Sequence, residues 1–206
     1  ASDGIRAAKA EFAGTIITPT AGPITILIPK QQVGQLTSTI GRSNNGQVVV
    51  LVDEARVAVI DPANGWRLQF AMLDGRYPDW RRVIPVVTER WSSLEVEREQ
   101  LISSLERAKI LSDSRLNAVS LNLAGGEISV SSQGVDGIEG AIEIISCTQK
   151  NRNGSIKFNV SYLINAVQSL VGSRVHMFMD LEAGNKASLI QSPDDATNIH
   201  VLTPIR

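Results

Sequence analysis

From residue 24 onward, apolar positions along this chain change period in a fixed order. Ile24 to Pro29 reads as a buried strand, and Val33, Leu36 and Ile40 then recur at helical spacing on one side of a helix that Gly41 closes. Val48 to Val52 and Arg56 to Ile60 read as two strands joined through Asp53-Glu54 as a hairpin, with Trp66 to Leu73 returning as a third. The unit predicted is β-α-β-β-β. The order recurs from Ile156: a strand to Val160, a helix with Leu163, Ala166, Val167 and Leu170 on its inner face, then strands at Arg174 to Asp180, Ala187 to Gln191 and Ile199 to Thr203. Val33, Leu36 and Ile40 match Leu163, Ala166 and Leu170 at a constant offset.

A third copy lies between them. Leu94 to Ser112 reads as its amphipathic helix, through Leu101, Ile102, Leu105, Ala108 and Leu111, followed by strands at Asn117 to Leu123, Glu127 to Ser132 and Ile138 to Ile145. Gly125-Gly126 suits a tight hairpin turn between the first two of those strands. Repetition of one supersecondary unit points to pseudo-symmetric assembly. The last two copies make one complete α+β domain, with helices on one side and antiparallel sheets on the other, from roughly Val87 to Arg206. The first copy lacks a full partner: Ala1 to Ile17 suffices for a strand or two of a preceding unit, so its sheet edges are expected to be sticky or covered.

Composition narrows the function classes. With 206 residues, 43% hydrophobic and 20% charged, the chain is large enough for two small cores. A net charge of −1 argues against a general nucleic-acid sponge, but the distribution is uneven. No acidic residue falls between Glu11 and Asp53 or between Glu143 and Asp180, while Lys30, Arg42, Lys150, Arg152, Lys157 and Arg174 do. Each of these stretches holds one predicted helix, and a helix face without carboxylates can approach phosphates without repulsion; chance spacing of two neutral faces is the plainer alternative. The single Cys147 excludes an internal disulfide framework and a cysteine-based zinc cluster. No apolar run reaches membrane-spanning length and no signal-peptide order opens the chain, so the expectation is a cytoplasmic protein without a membrane partner.

Catalytic constellations are scarce. There is no phosphate-binding Gly-rich loop ending in Lys-Ser or Lys-Thr and no G-x-S-x-G. His176 and His200 fall in predicted strands, and Asp53-Glu54 and Asp194-Asp195 read as solvated turn carboxylates. An enzyme using Asp3, Asp61 or Asp74 as a base is the reading left from another class, but it lacks convergent partners. The expectation is no enzyme, no cofactor and no metal.

The motif that stands apart is Asp74-Gly75-Arg76-Tyr77-Pro78-Asp79-Trp80-Arg81-Arg82-Val83-Ile84-Pro85, with two prolines, two aromatics and three arginines in twelve residues. It fixes backbone angles and supplies flat stacking surfaces and permanent donors, as a docking surface would. The string resembles the signature between the second and third domains of the bacterial sliding clamp, the beta subunit of the replicative DNA polymerase III holoenzyme. Ala1-Ser2-Asp3-Gly4-Ile5-Arg6-Ala7 is similar to that family's A-T-D-G-x-R-L segment, and Val201-Leu202-Thr203-Pro204-Ile205-Arg206 to its V-V-M-P-M-R terminus. Ser104 to Ser112 and Phe158-Asn159-Val160-Ser161-Tyr162-Leu163 resemble two further family segments, in the same order.

The resemblance implies a DNA-clamp fold, with residues 1–86 the C-terminal part of the clamp's middle domain and 87–206 its C-terminal domain; the first domain and about half of the second are expected to be missing. It implies a processivity factor that encircles duplex DNA as a homodimer in its full-length form. Polymerase III alpha subunit, clamp loader and repair proteins would be held by their short peptides. The implied peptide site comprises Gly4, Ile5, Arg6 and Ala7, then Pro78, Arg82 and Val83, then Ser188, Val201, Leu202, Thr203, Pro204, Ile205 and Arg206. Aliphatic walls would accept Leu and Phe anchors; the plainer alternative is that these residues only hold two domains together. Ile5 stands where relatives carry His, Ala7 where they carry Leu, and Thr203 and Ile205 where Met is frequent, so a stiffer pocket is expected. Lys30, with Arg42 and Arg174 added from charge alone, would contact phosphate without reading sequence. Ile110 and Leu111 match the head-to-tail subunit contact, although Leu111 also fits the helix's inner stripe, and ring closure needs the missing first domain. The competing reading is a clamp-derived module that captures such peptides without encircling DNA, as a competitor or regulator.

Overall fold

Leu101, Ile102, Leu105 and Ala108 fall on one stripe at helical spacing, and in the computed structural model all four are buried along α2 (Arg98–Leu111). The structure describes residues 1–11, 14–15, 24–41, 47–113, 115, 117–133, 139–182, 184 and 186–205. Two compact units result, one formed by Ala1–Ala13 with Asp79–Arg206 and the other by Gly14–Pro78.

In the larger unit, β1 (Arg6–Lys9) comes first, then a 3-10 turn (Trp80–Arg82), and then β5 (Ser92–Glu97). After α2 come β6 (Ala118–Ala124), β7 (Glu127–Gln133), β8 (Glu139–Ser146) and the short β9 (Thr148–Lys150). The second repeat is β10 (Gly154–Asn159), α3 (Val160–Gln168), β11 (Arg174–Met179), β12 (Ser188–Ser192) and β13 (Asp195–Leu202). These strands build a six-stranded sheet in the order β1-β13-β12-β11-β5-β9 and a four-stranded one in the order β10-β6-β7-β8. The described pairings are antiparallel. The two repeats therefore cross between sheets: β5 of the first pairs with β11 of the second, and β10 of the second with β6 of the first.

Both sheets contribute one face to a single core with α2 and α3. Leu94, Leu121, Leu123, Ile128, Phe158, Leu163, Met177 and Ile190 are fully buried there. Each such side chain contributes about 1.5–3 kcal/mol relative to exposure. The predicted hairpin turn is present, with Gly125 at φ 63° and Gly126 at φ 85°, a left-handed pair that side chains with a Cβ resist. Two capping side chains set the helix starts: the Glu97 carboxylate accepts from the amides of Glu99 (3.2 Å) and Gln100 (2.6 Å), and Asn159 Oδ1 accepts from the amide of Tyr162 (3.1 Å). Arg98, first residue of α2, donates from Nε to the carbonyl of Val167 (3.2 Å) and from Nη2 to that of Gln168 (3.0 Å) at the end of α3.

The smaller unit contains α1 (Lys30–Ile40), β2 (Val49–Val52), β3 (Arg56–Asp61) and β4 (Trp66–Ala71), the strands paired in chain order. Val57, Val59 and Phe70 form its buried core, with Ile26, Ile28, Leu36 and Trp66 packed against it half-exposed. Buried Asp61 closes the β3–β4 turn by accepting from the amides of Ala63 (2.9 Å) and Asn64 (3.0 Å).

Several expectations are corrected. Ile24 to Pro29 is not a buried strand: Ile24 is 55% exposed and the segment pairs as no named strand, although Leu73 donates its amide to the Leu27 carbonyl (3.0 Å). Leu94 to Glu97 belongs to β5 rather than to the helix, because Leu94 and Val96 alternate inward and Glu97 caps α2. Val33 and Leu111 leave the inner stripes assigned to them, at 47% and 55% exposure. Pairing of β1 with β13 accounts for the first residues lying in the larger compact unit.

Candidate functional site

β1 forms because Asp3-Gly4 turns the chain back. Asp3 Oδ1 accepts from the amides of Ile5 (3.1 Å) and Arg6 (2.9 Å), and Gly4 sits at φ 89°. The strand then lies on β13 with Arg6 opposite Leu202 and Ala7 opposite Val201, and Thr203 donates its amide to the Ile5 carbonyl (3.1 Å). Two expected groups, Gly4 to Ala7 and Val201 to Thr203, are thus brought together although almost the whole chain separates them.

Strand alternation divides this site between two faces. Ala7, Val201 and Leu189 are paired across three strands on the face away from the helices. Arg6, Leu202 and Ser188 share the helix-side face, where Leu202 joins the core and the Arg6 guanidinium lies 4.0 Å from the centre of the Tyr162 ring on α3. Ser188 is fully buried and its hydroxyl has no hydrogen-bond partner among the described residues. Ile5 is 49% exposed, Thr203 exposed, Pro204 buried and Ile205 half-buried, its amide donating to the Lys157 carbonyl (2.8 Å).

Arg82 ends, and Val83 caps, the 3-10 turn Trp80–Arg82, whose start Asp79 caps by accepting the Arg81 amide (3.2 Å). Both are exposed, and they border a groove of about 880 Å³ whose other walls include Val86, Trp91, Lys186 and Ala187. Pro78 falls in the smaller unit. Arg206 and Arg42 lie outside the described residues. Lys30 is exposed at the first position of α1, a helix with no acidic residue in its first turn. Arg174 lies on the sheet face away from α2 and α3 and is engaged by Glu95, Nε to Oε1 at 2.6 Å.

Ile110 is 80% exposed at the end of α2, beside Leu111. Two residues the sequence reading passed over extend the exposed apolar set: Ile142 and Ile144 on β8, the outer strand of the four-stranded sheet, at 71% and 61% exposure. Arg107 joins α2 to this strand through an ion pair with Glu143. Tyr162 was also passed over as a site residue; only its contact with Arg6 places it there.

The groups considered for catalysis sit in structural roles. His176 stacks on Phe178 with ring centres 4.1 Å apart, and burial depresses its pKa. His200 Nε2 lies 2.8 Å from Ser169 Oγ, and burial lowers its pKa too. Asp3 pairs with Arg6 and Asp74 is exposed. Among the described residues, no group of three or more His, Cys, Asp or Glu could hold a metal ion, and no helix is long and apolar enough to cross a membrane.

Comparison with known proteins follows this geometry. The curated beta sliding clamp of Vibrio cholerae serotype O1 is 27% identical over 181 residues, 88% of this chain and 47% of the relative. That of Pseudomonas aeruginosa is 24% identical over 206 residues, all of this chain and 53% of the relative. The chain spans about half the length of the curated relatives it matches. The crystal structure of DNA polymerase III subunit beta from Pseudomonas aeruginosa superposes with a TM-score of 0.87 at 22% identity, covering 100% of this chain and 54% of that one, which shows the clamp fold. Residues 81–206, more than half of the sequence, match the family described as DNA polymerase III beta subunit, C-terminal domain, and the chain therefore belongs to that family.

Proposed function

We propose that this chain forms the peptide-capturing part of a sliding clamp, a non-enzymatic processivity factor that needs no cofactor. The observation that carries the reading is the β1–β13 pairing, which sets Gly4 to Ala7 against Val201 to Thr203 with Ile5 and Thr203 open to a ligand. Arg82 and Val83 stand exposed to supply a further wall, and Pro78, Ser188, Pro204, Ile205 and Arg206 complete the proposed set. Exposed aliphatic and arginine groups of this kind take the Leu and Phe anchors of polymerase, clamp-loader and repair-protein peptides.

In the full-length protein, residues 1–86 would complete a middle domain and 87–206 serve as the C-terminal domain of a homodimeric ring around duplex DNA in the cytoplasm. The apolar end of α2 at Ile110 and Leu111, with Ile142 and Ile144 on an outer strand, suits a subunit contact. Lys30 would meet phosphate. Arg174 would do so only by leaving Glu95, and Arg42 is retained on charge alone. Because ring closure confers retention, contacts to phosphate can stay weak enough to slide.

A labelled peptide with a Gln-Leu-x-Leu-Phe core, titrated against the chain by fluorescence anisotropy, tests the site. Saturable binding is expected, weakened about fivefold or more by Pro204→Ala and by Arg206→Ala. Equal affinity in all three proteins removes the assignment.

A further inference from the structure

The signature's aromatic residue Trp80 has a role that peptide anchors alone do not explain. On β1, alternation puts Ala7 and Lys9 on the same face, away from the helices, and Ile5 lies in the bend just before the strand. The Lys9 ammonium lies 5.5 Å from the centre of the Trp80 ring and is itself held by the Glu11 carboxylate. The Arg81 guanidinium also lies over Trp80, at 4.6 Å. Both distances are within the range in which a cation is attracted to an indole.

The 3-10 turn is hydrogen-bonded to the backbone of the residue that carries that ring. Val83 donates its amide to the carbonyl of Trp80 itself (3.1 Å), and Arg82 donates its amide to the carbonyl of Asp79 (3.1 Å). Among the described residues, the Arg82 side chain is 87% exposed with a loose 3.6 Å ion pair to Asp79, and Val83 is 43% exposed. The Trp80 ring is thus the point at which the turn meets β1, through Lys9, on the strand face that also carries Ala7.

We propose that Trp80, clasped by Lys9 and Arg81, is a positioning residue that sets the wall of Arg82 and Val83 against the wall of Ile5 and Ala7; the proposal rests on the peptide-capture reading. Presetting both walls spares a ligand the ordering cost of assembling them. Lys9 and Trp80 are far apart in sequence, so the clasp joins segments that no local motif links.

Two measurements on the full chain test this. Without peptide, hydrogen exchange at the Val83 amide is expected to quicken in Trp80→Ala and in Lys9→Ala, while Trp80→Phe stays near the parent. With the same labelled peptide, Trp80→Ala is expected to lose about tenfold in affinity and Trp80→Phe to recover to within about threefold, at an unchanged thermal midpoint. Should Trp80→Ala fail to fold, Lys9→Ala and Trp80→Phe decide the matter. Unchanged Val83 exchange in Lys9→Ala, or no rescue by phenylalanine, overturns the clasp. A parent chain that binds no peptide overturns peptide capture instead, and the exchange result still stands or falls by itself.

Discussion

α1 and α3 carry the same apolar spacing but differ in burial. α3 buries Val160, Leu163, Ile164, Ala166 and Val167, whereas α1 buries no residue. The larger unit joins 24 described residues in one buried core and the smaller unit joins three. An amphipathic pattern selects which face of a helix turns inward, but burial needs a second layer to receive that face. In the larger unit each repeat receives the other's helix. Among the described residues of the smaller unit there is one repeat, and its apolar stripe is half-exposed.

The sharpest way to break this comparison is to cut the same position in both helices. Leu163→Ala, at a fully buried site, is expected to destabilise the larger unit by about 2–5 kcal/mol, read from the urea unfolding midpoint. Val33→Ala at the matching place in α1 is expected to change stability by less than about 0.5 kcal/mol. Equal losses would mean that α1 is buried after all. A smaller effect separates the helix starts. Asn159→Ala removes the cap of α3 and is expected to cost about 1 kcal/mol, while Pro29→Asp, supplying α1 with the side-chain cap it lacks, is expected to slow amide exchange in its first turn.

The mildest contrast is electrostatic. Arg107, hydrogen-bonded to Glu143 across α2 and β8, holds that carboxyl below its ordinary 4.5. In the smaller unit, the amides of Ala55 and Arg56 hold the Asp53 carboxyl below 3.8. A depressed carboxyl adds stability that is present above its unfolded value and lost as pH falls through its folded one. Acidification should therefore weaken both units, the contribution of Glu143 starting to go at a higher pH than that of Asp53. Glu143→Gln should flatten the acid limb of the larger unit's urea midpoint and leave that of the smaller one in place.

What the sequence made legible follows from the range of each signal. The hairpin at Gly125-Gly126, the helix stripes of α2 and α3 and the β-α-β-β-β order from Ile156 onward are set by neighbours a few residues apart, so periodicity and turn chemistry carry them. Leu94 and Val96 misled because a strand running straight into a helix shows no break in apolar content, and the cap is a glutamate rather than the usual short polar residue. β1 gave little signal of its own: Arg-Ala-Ala-Lys has no strand-forming residue and becomes a strand where the Asp3-Gly4 turn lays it on the edge of β13. The candidate peptide site was proposed through the family resemblance alone. The face on which each of its residues stands, the Arg6–Tyr162 stack and the Lys9–Trp80 contact were not legible, since they depend on register and on long-range packing.

Arg98 carries a constraint on how such a chain can evolve. Its guanidinium, fixed at the first residue of α2, meets carbonyls at the final turn of α3. Each residue inserted within α3 would carry those carbonyls about 1.5 Å along the axis and swing them around it. Insertions and deletions should therefore be excluded from α3, whereas α2 can change length beyond Arg98 without disturbing this contact.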